Sequence, residues 1–110
     1  MTREYLTSGP GGVGAMTPPL SDYVNAYALT ASTAETVTWP SWATHCNIVG
    51  VSGTDYYVRA GGTATVPSSD TTDGTASARN VAQRSRSENE ASFSVISASD
   101  TVITVEFWGV

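Results

Sequence analysis

Apolar and polar positions alternate with a period of two along most of this chain, the mark of strands with one face buried and the other wet. In residues 55–60, Tyr56, Val58 and Ala60 share one face and Asp55, Tyr57 and Arg59 the other. Residues 23–32 (YVNAYALTAS) set Tyr23, Asn25, Tyr27 and Leu29 on one parity and Val24, Ala26, Ala28 and Thr30 on the other. This predicts a strand, although the alanines leave a short helix open. Residues 33–39 (TAETVTW) put Thr36 and Thr38 opposite Val37 and Trp39, and Pro40 closes the strand because proline cannot donate to a ladder. Residues 45–52 (HCNIVGVS) form the mostly apolar run of a central strand, and Ser52-Gly53-Thr54 predicts a hairpin joining it to residues 55–60. A second hairpin is predicted across Ala98-Ser99-Asp100, between residues 91–97 (ASFSVIS) and 101–108 (TVITVEFW).

Turn chemistry divides these runs. The pair Gly61-Gly62 predicts a tight turn with positive φ, and residues 63–66 resume an extended pattern until Pro67. Residues 68–74 (SSDTTDG) are a polar loop whose side chains can bond their own backbone. Asp70 and Asp73 with Gly74 suggest an Asx turn before a calcium site, because an EF-hand needs ligands at alternate positions and a closing Glu. The same two carboxylates make a poor glycosidase dyad, since one short loop gives no apolar pocket to split their pKa values.

Some eight short strands with turns every 8–12 residues predict an all-β antiparallel two-sheet sandwich of jelly-roll or Greek-key type, with an immunoglobulin-like order as runner-up. The sandwich is expected over residues 23–110. Residues 1–22 hold four of the ten glycines and three of the five prolines and show neither period, so they predict an extended arm. Tyr5, Leu6, Val13, Met16 and Leu20 are scattered along it as apolar anchors for a neighbouring subunit, the plainer alternative being a frayed terminus.

Composition narrows the function. Charged residues are 14% while 30 positions are Ser or Thr and none is Lys, so the surface is neutral and hydroxyl-rich and the best helix formers are scarce. A net charge of −5 argues against a broad nucleic-acid footprint, which needs clustered positive charge. No run of about 18 apolar residues suggests a membrane span, and no apolar core suggests a signal peptide, so assembly in the cytoplasm is expected. One cysteine, Cys46, leaves no intrachain disulfide and reads as a small buried hydrophobe. Its neighbour His45 points to the opposite face of the strand, so the two cannot share a metal, and His45 reads as a strand-end polar residue. No phosphate loop, dinucleotide fingerprint or zinc-protease motif is present; no cofactor and no catalytic residue are expected.

Two groups carry interaction chemistry. Arg79, Arg84 and Arg86 lie in residues 75–90, with Arg84 and Arg86 on one parity beside Glu88 and Glu90. Guanidinium forks suit carboxylates at a subunit interface, a solvated mixed-charge edge being the plain alternative. Trp39 and Trp42 flank a Pro-Ser corner and, with Tyr57, are candidates for a carbohydrate-stacking platform, against the commoner role of capping a sandwich core.

The run Tyr57-Val58-Arg59-Ala60-Gly61-Gly62-Thr63-Ala64, followed by Val66-Pro67, Asp70, Thr72-Asp73-Gly74-Thr75 and Ser92-Phe93-Ser94-Val95-Ile96-Ser97, resembles a family of small tailed-bacteriophage virion proteins. The resemblance covers roughly residues 28–108 and is most specific over 56–75. A Glu-Leu-Asn-Pro-like run expected after the Asp-Gly loop is replaced by Ala78-Arg79-Asn80-Val81. It implies a non-enzymatic minor structural, capsid-decorating or cement protein of the virion, assembled in the host cytoplasm. Its partners would be the major capsid protein or other virion proteins, and further copies of itself in a homo-oligomer, a trimer among the options. The alternative from the residues is a carbohydrate- or receptor-binding β module of a tail or head fibre.

Overall fold

The structure, a computed structural model, describes residues 20–109. Its elements are all strands: β1 (Val24–Leu29), β2 (Glu35–Thr38), β3 (His45–Val49), β4 (Tyr57–Arg59), β5 (Ala78–Arg79), β6 (Gln83–Ser85), β7 (Ser92–Ile96) and β8 (Thr101–Trp108). The helix left open for residues 23–32 is not formed. Two four-stranded antiparallel sheets, in the orders β1-β8-β3-β6 and β2-β7-β4-β5, pack face to face. β1 pairs with β8, β2 with β7, β3 with β6 and β4 with β5, so the first half of the chain is matched in reverse order by the second. β8 also pairs with β3, and β7 with β4, which makes those four the inner strands.

Period-two alternation fills the space between the sheets. Cys46, Ile48, Ile103, Val105 and Phe107 come from the first sheet and Val37, Val58, Phe93 and Val95 from the second, with Leu29 and Trp39 at strand ends. Val37, Val95, Ile103, Val105 and Phe107 are fully inaccessible. Burial of each such side chain contributes about 1.5–3 kcal/mol, which is where the fold draws its stability in the absence of a disulfide. Cys46 behaves as the expected small hydrophobe, and burial pushes its thiol up to about 12. A thiolate-directed reagent at pH 8 is therefore expected to label Cys46 only at the rate of unfolding. Rapid labelling in native buffer would show that this part of the core opens.

Neither predicted hairpin forms. β3 and β4 lie in different sheets, as do β7 and β8, so both short turns carry the chain across the sandwich. Residues 97–100 bond outward to other segments: Ser97 Oγ donates to Asp55 O at 2.8 Å, Ser32 N–H to Ser97 O at 2.7 Å, and Ala31 N–H to Asp100 Oδ1 at 2.8 Å. At the other crossing Gly53 supplies the positive φ (84°), and the buried Tyr56 hydroxyl sits 2.7 Å from Val81 O and 3.2 Å from Ile48 O. A Cβ on Gly50 would fall 2.9 Å from the Tyr56 ring, so this crossing requires glycine there.

The Gly61-Gly62 pair also departs from expectation. Positive φ among the described glycines occurs at Gly53 and Gly74, not here. A Cβ on Gly62 would meet the Arg59 guanidinium at 2.9 Å, the far end of a flexible side chain that can shift aside. Residues 63–66 form no strand; they fold back over the outer face of the second sheet, where Ala64 N–H donates to Ser94 Oγ at 2.9 Å and Ala64 is 1% exposed. That cover accounts for the burial of Ser94 on an outward face.

Candidate interaction surface

Arg84 sits on β6 opposite Cys46 and points inward, so its guanidinium enters the open end of the sandwich. It lies 4.8 Å from the Phe93 ring centre and 5.6 Å from that of Trp39, and Nη2 donates to Glu90 Oε1 at 2.6 Å. Glu90 is satisfied on every side, accepting from Trp39 Nε1–H at 2.9 Å and Ser87 N–H at 3.0 Å as well. Burial by itself would raise the Glu90 carboxyl, but the bonds from Trp39 and Ser87 and the charge of Arg84 outweigh it and hold the group below its ordinary range. Arg86 ties the neighbouring loops: Nε donates to Glu90 O at 2.7 Å, and Nη1 to Pro40 O at 3.1 Å and Ala43 O at 3.2 Å. Asn89, at φ 64°, makes the tight return that brings Glu90 back to Arg84. Arg84 and Arg86, expected at a subunit interface, thus both bond within the chain, where they form a clasp. Arg79 is exposed on β5.

The aromatic candidates do not meet as a platform. Trp39 is 4% exposed, packed edge-on against Phe93 and Phe107 at 5.8 and 5.6 Å, and presents no face to a sugar. Trp42 is half-buried against the core, 5.3 Å edge-on from Tyr23. Tyr57 stands on β4 opposite Ile96, on the outward parity of the sheet whose inner side Trp39 caps. His45 opens β3 with Nδ1 2.9 Å from Thr44 Oγ1. Asp73 makes the expected Asx turn, accepting from Thr75 N–H and Oγ1–H at 3.1 and 2.6 Å, and those bonds lower its carboxyl. Among the described residues no three His, Cys, Asp or Glu side chains are grouped to hold a metal. Of the arm anchors, Tyr5, Leu6, Val13 and Met16 lie outside the described residues, and Leu20 is 92% exposed. Ser21 belongs to the domain, its Oγ donating to Phe107 O at 2.7 Å.

The contrast between the two outer faces is the informative feature. Where Ala64 lies over Ser94 of the second sheet, the described residues leave this part of the first uncovered: Val24, Val49 and Val102 stand 48%, 49% and 47% exposed, and Val51, two residues beyond β3, 53%. The register places Val49 and Ala26 on either side of Thr104, and Ala28 next to Val102, giving a contiguous patch of small apolar and hydroxyl side chains. Its carboxylate, Glu106, is half-buried and accepts from Asn47 Nδ2 at 2.9 Å. No protein-family model, curated protein or solved structure matches this chain. The face must therefore be read from its own chemistry, and weakly charged apolar surface of this kind is what protein partners cover. Sequence reasoning missed it because Val49, Val51 and Val102 sit in runs apolar on both parities, which look like fully buried strands.

Proposed function

We propose that this chain is a non-enzymatic structural protein of a tailed-phage virion, a jelly-roll domain that attaches to neighbouring virion subunits and reinforces the particle. The observation that carries the attachment role is the set of exposed valines, Val24, Val49 and Val102, on the outer face of the β1-β8-β3-β6 sheet. The reversed pairing of β1 to β4 with β8 to β5 supports the jelly-roll assignment, an architecture common in capsid and lectin domains. The virion assignment is supported by the resemblance over residues 56–75. Stabilisation of the particle follows if that face is buried against a capsid or tail subunit, because burial of apolar area stabilises by about 25 cal/mol per Å².

The test is to image purified particles by electron microscopy with and without the chain, and to repeat the imaging with Val49→Asp plus Val102→Asp. Both positions point to solvent, so the variant is expected to fold normally while losing its place on the particle. Unchanged occupancy of the double variant would move the attachment surface elsewhere, and particles lacking the wild-type chain altogether would remove the virion reading. The carbohydrate-binding alternative has no structural observation in its favour, since the aromatic residues it needs are buried or apart.

A further inference from the structure

We propose that two copies of this chain join through the free edge of β1, antiparallel about a two-fold axis at Ala26, to give one continuous eight-stranded sheet. Among the described residues, β1 is the outermost strand of its sheet. Phe107 N–H donates to Tyr23 O at 3.1 Å, and the register sets Tyr23 across from Phe107, so the odd-numbered residues turn their backbone groups toward β8. Strand alternation then points the N–H and C=O of Val24, Ala26 and Ala28 outward from the sheet edge.

The four edges differ in how they discourage pairing. β2 carries Glu35, β5 is two residues long and bears Arg79, and β6 is three residues long with Arg84 turned inward. Charge, shortness and inward charge are the usual devices against edge-to-edge association. β1 has none of them: it runs six residues, VNAYAL, with neither charge nor proline. In a chain of net charge −5, an uncharged edge is where two copies meet without opposing like charges.

The strand is also complementary to itself. With the axis at Ala26, that residue faces its own copy, Val24 faces Ala28, and Asn25 faces Tyr27. All three outward residues then exchange both backbone bonds, and inner and outer faces continue across the junction. Asp22 falls opposite Thr30 and not opposite another acid. Moving the axis to Asn25 or Tyr27 sets an outward residue of β1 against Asp22 or Thr30, beyond the strand. The interface is isologous, as a closed dimer requires. This inference is independent of the virion reading and holds or fails whether or not any particle carries the chain.

Sedimentation of the full chain at about 100 µM is expected to give a dimer, an ordinary affinity for a modest interface. Ala26→Cys is expected to form an intermolecular disulfide on mild oxidation, because residues facing each other in this register stand about 5.5 Å apart at Cα. Val24→Lys with Ala28→Lys brings introduced lysines together across the axis and is expected to weaken the dimer about tenfold or more, whereas Val24→Lys with Ala28→Glu restores it. Both double variants alter exposed side chains, so each stays folded and its circular dichroism matches wild type. A wild-type monomer at that concentration, no Ala26→Cys cross-link, or equal dimerisation of the two double variants would each overturn the proposal.

Discussion

Arg84→Glu combined with Arg86→Glu is expected to abolish folding, although each change is nominally a swap of one charged side chain for another. Arg84 lies between two aromatic rings and donates to the buried Glu90; a carboxylate in its place faces Glu90 without compensation. Breaking a buried pair costs about 3–5 kcal/mol before the new repulsion is counted. Arg86 is bonded to the carbonyls of Glu90, Pro40 and Ala43, and bonds to a charged donor are worth about 1.5–3 kcal/mol each. The sum reaches the entire stability of an ordinary domain, about 5–15 kcal/mol. Circular dichroism and amide dispersion of the double variant are expected to show no cooperative transition. Arg79→Glu, at an exposed position, is the control and should melt with wild type. A double variant melting within a few degrees of wild type would mean that the clasp contributes little.

Glu90 is expected to set the acid limit of the fold. Its carboxyl is held below the ordinary 4.5 in the native state, so the native state keeps it ionised where the unfolded chain begins to protonate. The contribution is thus complete above about pH 4.5 and disappears as pH falls through the depressed native value. Urea midpoints are expected to stay level from neutrality to about pH 5 and fall steeply below it. Glu90→Gln removes the charge that Arg84 answers; it is expected to lose about 3 kcal/mol at pH 7 and to show a much shallower decline in acid. Equal acid sensitivity of the variant and the wild type would assign the effect to other carboxylates.

The sheet class and most strand positions were legible because period two is a local property: Val37 and Trp39, Tyr56 and Val58, and Ile103, Val105 and Phe107 share faces wherever the chain goes next. The destination of a turn is not local. Ser52-Gly53-Thr54 and Ala98-Ser99-Asp100 reverse the chain equally well within a sheet or between sheets, and only partners such as Asp55 O and Ser32 N–H decide. Arg84 and Glu90 were visible as opposite charges of one parity. Their role depended on the Trp39 indole, 51 residues from Glu90 in sequence, and no spacing rule reaches that far.

The mirror-image pairing of the strands also governs when this protein can fold as it is made. β1 finds its partner only in β8, and β3 lies between β6 and β8, so neither can complete its ladder until residues 101–108 leave the ribosome. At about 5–20 residues per second, the earliest strand waits several seconds with its apolar parity exposed. Contacts so distant in sequence also slow the search, toward milliseconds to seconds for such topologies. The nascent chain is thus in most need of a chaperone just before its eighth strand appears.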